Sequence, residues 1–116
     1  MSAAASLDIG TLTALAEPNR LRIVELLRDG PRAVGDVAER LAMRQPQASK
    51  HLKVLAEAGL VSVRPHAQSR VYQLEVGPFR DLEAWLDTFS SIWETRLDAL
   101  ESYLETIREP KEPGDA

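Results

Sequence analysis

Between Gln45 and Leu55 the chain sorts its residues into two sets that a helix places on opposite faces. Ala48, Leu52 and Leu55 recur at spacings of 4 and 3, one stripe of a 3.6-residue period, and small Ala48 lets a neighbouring element come close. Gln47, Lys50 and Lys53 fall off that stripe, as do Gln45 and Ser49. Pro46 sits where a first helical turn tolerates it, because its missing N–H would have no intrahelical partner. The outer face therefore carries amide, hydroxyl and ammonium groups, with no carboxylate before Glu57. Such groups meet base edges and phosphates, although an ordinary solvated helix would also display them. The flanking segments separate the two readings.

Upstream, Val34, Val37, Ala38 and Leu41 form the inward stripe of a short amphipathic run, and Ala42, Met43 and Arg44 join it to the Gln45 helix. Two short helices joined by such a turn suggest a helix-turn-helix, whose second helix enters the major groove. Downstream, Gly59 is the residue best able to take a left-handed helix cap. Val61–Arg64 and Arg70–Leu74 then alternate apolar and polar residues around a basic, polar tip from Pro65 to Ser69. This predicts a two-stranded hairpin with Pro65 at an edge or bulge, since proline donates nothing to a ladder. The order of elements is that of a winged helix.

Two stretches are similar to the ArsR/SmtB family of bacterial winged-helix repressors: Ala14 to Leu27, with Glu17-Pro18-Asn19-Arg20, and Ser49 to Val61, with His51-Leu52-Lys53 and Ala58-Gly59-Leu60. The resemblance runs from about Leu12 to Leu74. It implies a mainly α fold with a small β-hairpin wing, ordered α1-α2-α3-α4-β-β-α5 and dimeric. It also implies a transcriptional repressor, some relatives of which sense metals through cysteines or through Asp/His sets on the last helix. This chain has no cysteine, and both histidines, His51 and His66, lie in the presumed DNA-binding half. The Trp-bearing, cysteine-free last helix resembles that of the family's non-metal-sensing subgroup, which implies a ligand-independent or autoregulatory repressor.

Charge distribution fits a nucleic-acid partner despite a net charge of −4 over 116 residues. Residues 44–73 hold five basic side chains against one acidic, a local +4, whereas residues 74–116 carry −7 and residues 1–43 carry −1. An acidic protein with a basic reading surface is expected to bind DNA weakly without sequence match and with marked salt dependence. Length bounds the chain to one domain, expected over 1–107 with a flexible tail over 108–116. No apolar run approaches a membrane span, and the first residues lack the pattern of a signal peptide, so the expected location is the cytoplasm.

From Pro78 a single last helix is expected, with Phe79, Leu82, Leu86, Phe89, Trp93, Leu97, Leu100, Leu104 and Ile107 at spacings of 3 or 4. From Phe79 to Ile107 it would be about 43 Å long, more than a domain of this size covers by itself. The expectation is a homodimer interface, with a short N-terminal helix from Leu7 to Ala16, carrying Leu7 and Leu12, packed beside it. The alternative is a helix folded back on its own core.

The expected DNA contacts follow from chemistry. Gln45, Gln47 and Lys50 suit base edges, since glutamine binds adenine bidentately and lysine favours guanine acceptors. Arg44, Ser49, His51 and Lys53 suit phosphates, with His51 equally able to pack beneath the helix. Gln68, Ser69 and Arg70 at the wing tip reach toward the backbone or minor groove, though this tip lacks the family's frequent glycine. The pattern calls for no catalytic residue, cofactor or metal. The acidic residues of the last helix, Asp87, Glu94, Asp98, Glu101 and Glu105, fit a solvated face better than a cation site. For the regulating signal, an apolar small molecule, a protein partner and no effector all stay open. A winged helix serving as a protein-interaction module is the alternative from another functional class.

Overall fold

The computed structural model describes residues 7–108. Asp8 begins α1 (Ile9–Leu15) by accepting the Gly10 N–H, and Glu17 begins α2 (Pro18–Leu27) by accepting the Arg20 N–H at 2.8 Å. Each carboxylate satisfies a donor that has no partner within its helix. Arg20 also reaches back, its Nε donating to the Ala14 carbonyl at 2.8 Å and so closing the end of α1. After β1 (Arg32–Ala33), helices α3 (Val34–Arg40) and α4 (Gln45–Glu57) form the helix-turn-helix. Strands β2 (Val61–His66) and β3 (Ser69–Leu74) form the wing, followed by α5 (Val76–Asp87) and α6 (Ser90–Arg108).

The core is where the amphipathic stripes meet. Ile23, Val24 and Leu27 of α2, Val37 and Ala38 of α3, and Ala48, Leu52 and Leu55 of α4 are all buried. Leu60, just before β2, and Val61 and Tyr72 of the sheet close it. Close-packed interiors of this kind hold their elements at fixed angles, so the core sets the direction in which α4 presents its outer face.

Three expectations are corrected. The wing is a three-stranded antiparallel sheet in the order β1-β3-β2, with Arg32 opposite Tyr72 and Ala33 opposite Val71. A two-residue strand is too short for alternation to reveal. β2 is an edge strand, which accommodates Pro65 opposite Arg70, and the hairpin tip narrows to Ala67-Gln68.

The single last helix is two helices. Its apolar spacing runs on unbroken, yet the Thr88 hydroxyl donates to the Trp85 carbonyl at 2.6 Å and the backbone N–H groups of Thr88 and Phe89 bond three residues back, to Trp85 and Leu86. The three-residue backbone bonds interrupt the i→i−4 ladder there, and a threonine hydroxyl bonded to a helix carbonyl favours a bend. α5 also starts before Pro78, which occupies the third position of its first turn.

The expected tail loses its first residue, because Arg108 ends α6; the rest of it, 109–116, and the signal-peptide reading of residues 1–6 lie outside the described residues.

Neither α5 nor α6 contributes a buried residue, and the molecule extends 69 Å along its longest axis. Phe79 packs partly against the core, while Leu7 and Leu82 are half-buried. Leu12, Leu86, Phe89, Trp93, Leu97 and Leu100 are exposed, at 38% to 58%. No described helix is long and apolar enough to cross a membrane.

Candidate nucleic-acid interface

The turn before α4 fixes where the helix starts. α3 ends with Ala42 in the left-handed region at φ 56°, the Met43 N–H bonding the Ala38 carbonyl at 2.9 Å and the Ala42 N–H the Glu39 carbonyl. This is the crossed pair of bonds that satisfies a helix end, made here with alanine where glycine is the unstrained residue. Arg22 of α2 braces the same turn, its Nη2 donating to the Leu41 carbonyl.

The end of α4 is set in the same way. Gly59 takes φ 81°, the Leu60 N–H bonds the Leu55 carbonyl at 3.0 Å and the Gly59 N–H the Ala56 carbonyl. Leu60 and Leu55 are both fully buried, and the Leu60 carbonyl accepts the Glu75 N–H. The reading helix and the wing are thereby joined rigidly at one corner.

With α4 fixed at both ends, its two faces separate as expected. Gln45, Gln47, Ser49, Lys50 and Lys53 are exposed, while Ala48, Leu52 and Leu55 are buried. A groove of about 630 Å³ runs between α4 and the wing, bringing together Gln45, Ser49, Lys53, Gln68, Ser69 and Arg70 over Val63 and Tyr72. Arg44, Gln47 and Lys50 line a second depression with Pro46 on the other flank of the helix. Neither lining contains a carboxylate. Polyanion phosphates would meet donors and cations there without repulsion.

Two residues of this segment, Arg64 from the basic count and His51 from the expected phosphate contacts, stand apart from these depressions. Opposed residues of an antiparallel pair share a face. Val63, Tyr72, Pro65 and Arg70 therefore share the groove side, and Arg64 alternates to the other, where it donates to the Gln73 amide oxygen at 3.0 Å. His51 also lines neither depression: its side chain is 17% exposed and its Nδ1 lies 3.8 Å from Glu17 Oε1.

Some residues support the site without lying on it; Glu17 and Arg22 fall in the stretch that carries the family resemblance, but no local pattern marks them, or Asp36, as supports of this surface. Arg22 and Glu17 act from α2, and Asp36 of α3 accepts from Arg32 at 2.8 Å and from Arg40 at 3.1 Å. The Arg32 bond and then the Arg40 bond hold the Asp36 carboxyl below its ordinary range. The backbone N–H of Arg20 does the same for Glu17, with His51 adding to it. Among the described residues no three Asp, Glu, His or Cys side chains are grouped to hold a metal ion.

Residues 15–64 match the model of a helix-turn-helix domain. The chain is 47% identical over 76 residues to the HTH-type transcriptional regulator Rv2034 of Mycobacterium tuberculosis, covering 66% of this chain and 71% of the relative. Among solved structures it is similar to an ArsR family transcriptional regulator at 32% identity and a TM-score of 0.64, covering 73% of this chain and 88% of that one. It is also similar, at 30% identity and a TM-score of 0.59, to the homodimeric winged helix-turn-helix DNA-binding domain Mb0332 of Mycobacterium bovis, covering 70% of this chain and 78% of that one.

Proposed function

Because this chain belongs to the ArsR family of winged helix-turn-helix transcriptional regulators, we propose that it is a repressor that binds a palindromic operator as a homodimer in the cytoplasm. The two carboxylate-free depressions flanking α4, one shared with the wing, carry the reading. α4 enters the major groove, where Gln45, Gln47 and Lys50 read base edges, while Arg44, Ser49 and Lys53 hold phosphates. Gln68, Ser69 and Arg70 place the wing on the adjacent backbone or minor groove. Repression follows from occupancy, since a dimer seated on promoter DNA excludes competing proteins from the same grooves.

Dimerisation through α1, α5 and α6 is part of the same proposal. Large apolar side chains from Leu86 to Ile107 stand open along these helices, a patch that a second copy covers. A two-fold dimer places its two reading helices one helical turn of DNA apart, about 34 Å. Footprinting of the DNA upstream of the chain's own coding sequence tests this. Two protected half-sites about one turn apart are expected; a single half-site would contradict the dimer, and no protection would contradict autoregulation.

A further inference from the structure

We infer that α6 pairs with α6 of a second copy as a parallel two-stranded coiled coil, its direction set by Arg96 of each copy meeting the partner's Glu101; this rests on the dimer proposed above and gives it a segment and a register.

α6 runs over Ser90–Arg108, and every residue from Ser91 onward is exposed. Helices in proteins are stabilised chiefly by packing an apolar face. Trp93, Leu97, Leu100, Leu104 and Ile107 form that face, yet they are 43% to 58% exposed, so the fold of one copy leaves it uncovered. Their spacings are 4, 3, 4 and 3, a repeat of 3.5 residues. That repeat keeps one stripe facing a second helix along its length, whereas a helix lying on its own domain follows 3.6. Phe89 stands beside the stripe, its ring 4.9 Å from that of Trp85, so α5 already takes it up. The stripe continues the open apolar patch that starts at Leu86 of α5.

Charge selects the occupant and its direction. Leu97 and Leu104 take the first core position of each heptad, and Trp93, Leu100 and Ile107 the second. Arg96 then flanks the seam on one side, and Glu94, Glu101 and Arg108 flank it on the other. Arg96 has no acid one turn away on its own helix, where its neighbours are Ile92, Trp93, Ala99 and Leu100. The neighbours of Glu101 are Leu97, Asp98, Leu104 and Glu105, two of them like charges. Among the described residues neither Arg96 nor Glu101 makes an ion pair. In a parallel pair the residue before a core position faces the partner's residue five further on, so Arg96 meets the partner's Glu101 twice by symmetry. An antiparallel pair sets each flank against its own kind. Its best-overlapping registers oppose Glu94 or Glu101 to the partner's Glu101 and leave Arg96 facing no acid of α6. A seam that carries both members of the pair complements itself, which makes a second copy its occupant.

The full chain has no cysteine, so introduced cysteines report the pairing without background. Ile107→Cys, at the far end of the seam, should form a disulfide-linked dimer in a glutathione redox buffer, because a parallel pair brings the two copies of this position together. An antiparallel pair holds them about 15 Å or more apart. Ser102→Cys, on the outer face of α6, should stay unlinked. Arg96→Glu should raise the dimer dissociation constant, read by sedimentation, about tenfold, as two modest attractions become repulsions. Adding Glu101→Arg to the same chain should restore the wild-type value, which simple damage to the helix would not allow. A dimer that fails to link through Ile107→Cys, or that Glu101→Arg fails to rescue, would overturn the inference and leave the dimer reading in place. A chain that sediments as a monomer at every concentration would remove both.

Discussion

Arg22 Nη2 donates to the Leu41 backbone carbonyl at 3.0 Å, across 19 residues of sequence, and so ties α2 to the turn that aims the reading helix. Removing it with Arg22→Ala leaves that carbonyl to solvent and should lower stability by about 1 kcal/mol, the typical net value of such a bond. It should weaken matched and scrambled DNA together, because it changes how α4 is held and not what α4 reads. Urea unfolding and binding curves on both duplexes check this.

Ala42 holds φ 56° in the same turn. Ala42→Gly should remove the left-handed strain and raise stability by about 0.5–1 kcal/mol, or a few degrees in Tm. Ala42→Val should lower it. Thermal unfolding by circular dichroism reads both, and a lower Tm for the glycine variant would contradict the strain.

Strand parity separates two wing arginines that charge counting treats alike. Arg70 lies on the groove side and Arg64 on the other, bonded to Gln73. Arg70→Ala should weaken DNA binding and reduce the salt slope by about one unit, as expected for a lost phosphate contact. Arg64→Ala should change neither appreciably. Within α4, Gln47→Ala should relax sequence preference, whereas Lys53→Ala should weaken matched and scrambled duplexes about equally. A salt series on both duplexes distinguishes all four.

Acid should unfold the protein partly through Asp36. Its carboxyl is held low in the folded state by Arg32 and then Arg40, so the stabilisation is full above the ordinary carboxylate range and is lost as pH falls through the depressed value. Asp36→Asn should lower Tm at pH 7 and show a shallower fall between about pH 5 and pH 2 than wild type. Parallel curves would contradict the assigned role.

The reading helix, its Gly59 cap and the edge position of Pro65 were legible because each depends on neighbours within a few residues. Ala48, Leu52 and Leu55 announce a buried stripe wherever the helix packs. β1 was hidden because two residues carry no period. The division of the last helix was hidden because the apolar spacing from Leu86 to Trp93 continues across Thr88, whose hydroxyl bond leaves no mark on a hydrophobic pattern. Of the ten residues expected to meet DNA, nine line one of the two depressions flanking α4. His51 does not, and its partner Glu17 is too distant in sequence for any local rule to pair them. Arg64 entered the basic count because composition carries no information about which face of a strand a side chain takes.

The most direct measurement is fluorescence anisotropy of the full chain with its own upstream DNA, against a scrambled duplex, across a salt series. Tight binding to the native duplex, weak binding to the scrambled one and a steep loss of affinity with salt are expected of a dimer reading bases through α4. Equal affinity for both duplexes at every salt concentration would contradict sequence-specific reading by this surface.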